Sequence, residues 1–216
     1  MTHSRLLKPV AVAALLALSA GAQAAIAVYT TQASFLAAIG AYGVDTFDDL
    51  TPGAATGPGP LSRSAGGISY EVATSPNSPI MYGAGSPADP WLSTNNAADF
   101  ITFSGFSPGV YAAGAQMFGS DVAGAYLERG LLAVRASNGV DTETRFKFRA
   151  PQDTFFGFVS DSPLTTLEIK MFYGSANPVW PAVNDLILAA VPEPETYALM
   201  LAGLAAIGFM ARRRRS

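Results

Sequence analysis

Between residues 25 and 190, much of the chain shows the alternation of apolar and polar positions that is typical of β-strands. The clearest case is segment 145–149, Arg-Phe-Lys-Phe-Arg, which places phenylalanines on one face and cations on the other. The other predicted strands are 25–29, 44–50, 67–72, 99–106, 109–118, 155–159, 166–171 and 182–188. Many short strands separated by glycine- and proline-rich turns predict an all-β fold, an antiparallel β-sandwich.

The non-strand segments have their own signals. A threonine cap at Thr30–Thr31, apolar residues at 35, 36 and 39, and Gly40 predict one short amphipathic helix near the start of this region. Segment 51–64 is rich in glycine and proline and is predicted to be a loop. Asp161-Ser162-Pro163 is predicted to be the turn of a hairpin.

The N-terminus has the three parts of a secretory signal peptide. Arg5 and Lys8 precede the apolar run 10–18, and Ala22 and Ala24 form a small-x-small ending. The apolar run is short for a membrane span, which argues against an uncleaved anchor. We therefore expect export by the general secretion machinery and cleavage by signal peptidase after Ala24.

The C-terminus carries three ordered elements. Pro192-Glu193-Pro194 comes first, and its prolines keep the backbone extended. Fourteen uncharged residues, 197–210, then predict a helix of about 21 Å, shorter than the hydrocarbon core of about 30 Å. The basic cluster that follows consists of Arg212, Arg213, Arg214 and Arg215.

The basic cluster favours a membrane helix over a buried core helix, because an unpaired buried charge costs several kcal/mol or more. Under the positive-inside tendency the arginines stay in the cytoplasm, so that the preceding domain faces the exported side of the inner membrane. An ordinary proline-rich linker before an anchor is the alternative interpretation of the motif.

In this order and position, the three elements resemble the PEP-CTERM signal that is read by exosortases. The resemblance implies that an exosortase recognises residues 191–216 and cuts near the motif. The protein would then pass to the cell envelope, cell surface or extracellular matrix. Because many proteins with this signal accompany exopolysaccharide production, the resemblance also implies a structural or adhesive role in such a matrix.

Composition narrows the function of the domain at 25–190. Without Glu193, Glu195, Arg5, Lys8 and the basic cluster, 14 acidic and 7 basic residues remain of the chain's 16 and 13, a net charge of −7. This charge does not suit nucleic-acid binding. The chain has no cysteine, and its single histidine, His3, lies in the signal peptide, so the domain has neither a catalytic triad nor a typical zinc site. We expect no enzymatic activity and no required cofactor.

The order of strand signals also resembles jelly-roll domains, including carbohydrate-binding modules. The resemblance rests on Phe47-Asp48-Asp49-Leu50, Phe156-Gly157-Phe158 and Asn184-Asp185. In calcium-bearing modules of this shape, an acidic pair in the last strand helps to hold a structural ion. The resemblance therefore implies a calcium site at Asp48, Asp49 and Asp185, whose carboxylates are oxygen ligands of the type that calcium prefers. Solvated acids at strand ends are the alternative.

Two tryptophans, Trp91 and Trp180, lie near predicted loops or strand ends, where a sugar-binding module places stacking platforms. Packing in the core is the competing interpretation. A surface-anchored structural or adhesive protein is the first hypothesis, a carbohydrate- or calcium-binding module the second, and a secreted hydrolase the third.

Overall fold

The computed structural model describes residues 26–174, 176–190 and 203–204. Within these ranges the chain forms fourteen β-strands and, after the first of them, one short helix. The strands make two sheets of antiparallel neighbours that enclose a common apolar core. The predicted antiparallel β-sandwich is confirmed, and the arrangement is consistent with a jelly-roll-like fold.

The first sheet has eight strands. Its main path runs through β1 (Ile26–Tyr29), β12 (Phe155–Ser160), β9 (Ala112–Ser120), β14 (Trp180–Ala189), β7 (Asp89–Thr94), β6 (Ile80–Ser86) and β3 (Ala55–Pro58), and β2 (Tyr42–Asp45) also pairs with β14. The second sheet has six strands, in the order β11 (Thr142–Phe148), β10 (Leu131–Ser137), β13 (Thr166–Phe172), β8 (Phe100–Ser104), β5 (Ile68–Ser75) and β4 (Leu61–Ala65).

Helix α1 (Gln32–Ala38) covers one end of the outer face of the first sheet. The predicted threonine cap is confirmed, because the hydroxyl of Thr31 accepts the N–H of Ser34 at 3.3 Å. The buried side chain of Phe35 packs over the glycine pair Gly114–Gly157, which leaves room for its ring. A Cβ on Gly157 would lie 2.4 Å from the Phe35 ring.

The other end of the same outer face is covered by the segment after β9. Tyr126 from this segment makes an edge-to-face contact with Phe118, which in turn contacts Trp91 edge-on at 5.1 Å between ring centroids. The first sheet is therefore packed on both sides along its central strands, β9 and β14.

Two predicted local structures are wrong. Segment 51–64 is not one loop, since β3 and β4 form within it as peripheral strands, where glycine and proline cost fewer ladder hydrogen bonds. Residues 161–163 form no hairpin turn, because β12 belongs to the first sheet and β13 to the second. Turn-forming residues indicate that the chain changes direction, but they do not indicate which strand it pairs with next. Here the chain crosses from the first sheet to the second.

The predicted strand at 44–50 ends at Asp45. Phe47 has a φ of 58°, a left-handed conformation that a strand cannot contain. The carboxylate of Asp45 holds this bend by accepting the N–H of Phe47 at 3.0 Å.

Several predicted features lie outside the described residues. They are the signal peptide with Ala22 and Ala24, the motif at 192–194, the basic cluster, and all of the hydrophobic stretch 197–210 except 203–204. Among the residues that are described, no helix combines the length and apolar character needed to cross a bilayer.

Candidate functional site

Strand β11 is an edge strand whose phenylalanines face solvent, although apolar side chains usually face the core. Its neighbour β10 turns Leu132 and Val134 into the core, and the residues that pair with them are Lys147 and Arg145. The cations of β11 are therefore on the core-facing side of the sheet, and its phenylalanines face solvent. Because β11 lies at the sheet edge, its inner side is open enough that the Arg145 side chain is 43 % exposed.

Phe146, Phe148 and Phe172 form what we call the aromatic patch. Their exposed fractions are 59 %, 68 % and 48 %. Phe148 and Phe172 both pair with Leu131. The side chains of Phe148, Leu131 and Phe172 therefore form one row across β11, β10 and β13. At about 4.8 Å per strand, this row extends over roughly 10 Å, and Phe146 lies about 7 Å further along β11.

Lys170 adds a positive charge beside the aromatic patch. Its ammonium lies 4.1 Å from the centroid of the Phe100 ring and 5.4 Å from that of Phe172. These are cation–π distances, which hold the charge at the surface of the sheet. The aromatic patch is therefore apolar at its centre and cationic at its margin.

A groove of about 540 Å³ continues the aromatic patch at one end. We call it the basic groove; the side chains that define it are those of Arg129, Leu131, Phe148, Arg149, Phe172 and Tyr173. Phe148 and Phe172 belong to both features, so the aromatic patch and the basic groove form one continuous surface. In the ranges described above, neither a helix nor a loop cluster packs on this face, in contrast to the outer face of the first sheet.

The prediction that Trp91 is a sugar platform is wrong. Its side chain is only 5 % exposed, and it packs against Phe118 in the core. The residue type and its position near a loop did not reveal that the segment after β9, with Tyr126, covers the face of β7 that carries Trp91.

Trp180 is partly buried and lines a separate cleft of about 260 Å³ with Tyr82, Asn95 and Asp121. Its indole N–H donates to the carbonyl oxygen of Asn95 at 3.4 Å. This contact ties the ring edge to the loop after β7. A stacking role for Trp180 stays a prediction.

The acids predicted to bind calcium belong to two different environments. Burial, followed by the charges of Asp89 and Asp48, raises the pKa of Asp185, which has a φ of 51° at a bulge in β14. Asp49 is instead bound by Arg63, at 2.6 and 3.1 Å, and this contact lowers the pKa of Asp49.

An ion at Asp49 would thus have to compete with a guanidinium. In the part of the chain that the structure describes, no three acidic, histidine or cysteine side chains are arranged to hold a metal ion. Calcium binding stays a prediction.

The same Arg63 belongs to a network that joins the two sheets. Asp45 on β2 accepts Arg63 Nε and Nη2 from β4, both at 2.8 Å, and the Tyr70 hydroxyl from β5 at 2.6 Å. Tyr70 is 1 % exposed, and its burial together with the Asp45 carboxylate raises its pKa. These groups have a structural role, since their hydrogen bonds are made to one another.

The aromatic patch and the basic groove were not predicted as a site. The sequence carries one signal for them. After Arg63, the domain's remaining six basic residues all lie between positions 129 and 170, interleaved with the phenylalanines. Which face of β11 is buried depends on where the second sheet ends, and alternation alone does not contain that information.

A family model of the PEP-CTERM protein-sorting motif matches residues 190–215. The match includes the Pro192-Glu193-Pro194 motif, the hydrophobic stretch and the basic cluster, and it confirms the predicted resemblance. The motif indicates an exported protein that is sorted at the cell envelope with an exosortase as its partner. Comparisons with curated proteins and with solved structures gave no match.

Proposed function

Because the chain carries a PEP-CTERM protein-sorting motif, we propose that its β-sandwich is an adhesive module of the cell surface or extracellular matrix that binds exopolysaccharide. One observation supports this role above the others. Three phenylalanine side chains, each about half exposed or more, lie together on a sheet face that the described part of the chain leaves open.

The aromatic patch has the chemistry that sugars require. Aromatic faces carry partial negative charge, and the C–H groups of a pyranose ring are weakly positive, so the two surfaces stack. Polysaccharide chains are long and repetitive, and a row of about 10 Å spans more than one sugar ring. In this proposal the domain binds its ligand and does not transform it.

The test is co-sedimentation of the purified protein with exopolysaccharide isolated from the cells that produce it. Fully burying a phenylalanine contributes about 1.5–3 kcal/mol. A sugar ring that covers about half of the Phe148 side chain should therefore contribute about 1 kcal/mol. Phe148→Thr should weaken binding roughly fivefold, and the double variant with Phe146→Thr more than tenfold.

Val140→Thr is the matched control, because Val140 is 85 % exposed at the hairpin tip between β10 and β11 but lies outside the aromatic patch. Its affinity should equal that of the wild type, and all variants should have the same melting temperature within a few degrees. Equal binding by the Phe148 and Val140 variants would contradict the proposal.

We also propose that the exported protein is processed at both ends, by signal peptidase after Ala24 and by an exosortase near Pro192-Glu193-Pro194. Intact-mass analysis of protein recovered from the cell surface should show that residues 1–24 and the terminal basic cluster are both absent. A mature mass that still includes residues 212–215 would contradict processing at the C-terminus.

A further inference from the structure

The domain is acidic overall, but its basic residues are concentrated at one edge. Of the seven that remain between residues 25 and 190, six lie on β10, β11, β13 or directly beside these strands: Arg129, Arg135, Arg145, Lys147, Arg149 and Lys170. The edge that carries the aromatic patch is therefore cationic within a domain of net charge −7.

Some of these charges are already neutralised. Arg135 pairs with Glu168, and Arg145 pairs with Glu143. Arg129 and Arg149, in contrast, have no ion pair with any residue that the structure describes. Both arginines line the basic groove and are exposed, so they are available to an anionic ligand.

The backbone holds Arg129 and Arg149 at the same end of the groove. The N–H of Arg149 donates to the carbonyl oxygen of Gly130 at 2.9 Å, which links the end of β11 to the residue after Arg129. Arg149 has a φ of 50°, which is uncommon for a residue other than glycine, asparagine or aspartate. Gly130 permits a close approach to Phe172 of the same groove, because a Cβ on Gly130 would lie 2.8 Å from the carbonyl oxygen of Phe172.

We infer that the ligand of this surface is an acidic polysaccharide, whose sugar rings stack on the aromatic patch while its carboxylates bind Arg129 and Arg149 in the basic groove. This inference rests on the proposed function and adds the chemical class of the glycan. Guanidinium groups bind carboxylates with two parallel hydrogen bonds, a geometry that a neutral sugar does not use. The net negative charge of the rest of the domain disfavours a densely charged nucleic-acid backbone.

The experiment measures binding of the full-length protein in detergent micelles to polygalacturonate, to its carboxyl-reduced neutral form, and to the exopolysaccharide of the producing cells. Each is measured at about 0.1 M and about 1 M NaCl, between which the Debye length falls from about 10 to about 3 Å. We expect tight binding of polygalacturonate and of the exopolysaccharide at low salt, and at least tenfold weaker binding of the neutral polymer.

Arg129→Gln combined with Arg149→Gln should weaken polygalacturonate binding about tenfold, since each charge-assisted hydrogen bond contributes appreciably. Lys147→Gln is the matched control. It removes one charge two residues before Arg149, but from the face of β11 opposite to the aromatic patch, and should change affinity less than twofold.

The outcomes separate this inference from the proposed function. Exopolysaccharide binding that persists at high salt, or equal affinity for the neutral polymer, would overturn the anionic class and leave the adhesive role standing. Failure to bind any of the three polymers would overturn both. Binding of double-stranded DNA as tight as that of polygalacturonate, with the same dependence on Arg129 and Arg149, would overturn the assignment to a glycan.

Discussion

Replacing Asp45 by asparagine should weaken the hydrogen bonds that join the two sheets and lower the free energy of unfolding. Its carboxylate accepts four hydrogen bonds, three of which come from Arg63 and Tyr70 on the opposite sheet. An asparagine has only one acceptor oxygen. Its NH₂ group would face the donors of Arg63 or Tyr70 and could not accept a hydrogen bond from them. The variant therefore leaves a mostly buried guanidinium, whose side chain is 15 % exposed, without its main partner.

Removing one partner of a buried ion pair costs about 3–5 kcal/mol. Arg63 keeps Asp49, so we expect a loss near the lower end, about 3 kcal/mol in the free energy of unfolding. For a domain of this size, 1 kcal/mol corresponds to about 2–4 °C, so that the melting temperature should fall by roughly 6–12 °C. Urea unfolding followed by tryptophan fluorescence gives the free energy, and thermal melts give the temperature.

Asp49→Asn supplies the comparison within the same network. Asp49 contacts the same guanidinium, but its side chain is 65 % exposed, and exposed pairs contribute about 0–1 kcal/mol. Asp45→Asn combined with Arg63→Met should be less destabilised than Asp45→Asn alone, because the only charge left without a partner is the exposed carboxylate of Asp49. Equal losses for Asp45→Asn and Asp49→Asn would refute the view that burial makes this ion pair important.

Two further substitutions test the packing of α1 and the acids around β14. Gly157→Ala should destabilise the protein by about 2 kcal/mol or more in urea unfolding, because its Cβ would meet Phe35 at 2.4 Å, whereas Gly67→Ala, with open space around it, should have little effect. Asp185→Asn should raise the free energy of unfolding at pH 7 by less than about 1 kcal/mol, measured as a slightly higher melting temperature, and lose that advantage as the pH falls towards the unfolded pKa of about 3.9. The sign follows from a folded-state pKa that burial and neighbouring acids raise, which makes the ionised carboxylate a cost at neutral pH. A lower melting temperature for Asp185→Asn only when calcium is added would support the calcium prediction instead.

The β-sandwich could be predicted because several strands carry their own alternation and others are short runs of apolar residues, and α1 because Thr31 and Phe35 supply a cap and a buried position. Local patterns did not determine how the strands are distributed between the sheets. Asp161-Ser162-Pro163 has the composition of a hairpin turn, but strand partners are chosen by long-range packing. The burial of Trp91 likewise depends on a distant segment that contributes Tyr126.

The sorting signal was the most predictable part, because an exosortase recognises a linear segment and no tertiary fold is needed to see it. The aromatic patch was the least predictable. Its phenylalanines have the residue type of a core. Phe146 and Phe148 are exposed because they lie on the outer face of β11 at the sheet edge, and Phe172 is exposed because Met171 takes the core-facing position on β13.

The cations on the inner side of β11 have a consequence for molecules that are crowded together on a cell surface. A free sheet edge can recruit the same edge of a neighbouring copy and grow into a fibril. Two β11 edges meeting side by side would bring Lys147 of one copy, which has no ion pair with any described residue, close to Lys147 of the other, and the repulsion opposes such growth. The edge beside the exposed phenylalanines is thus protected against pairing with another copy.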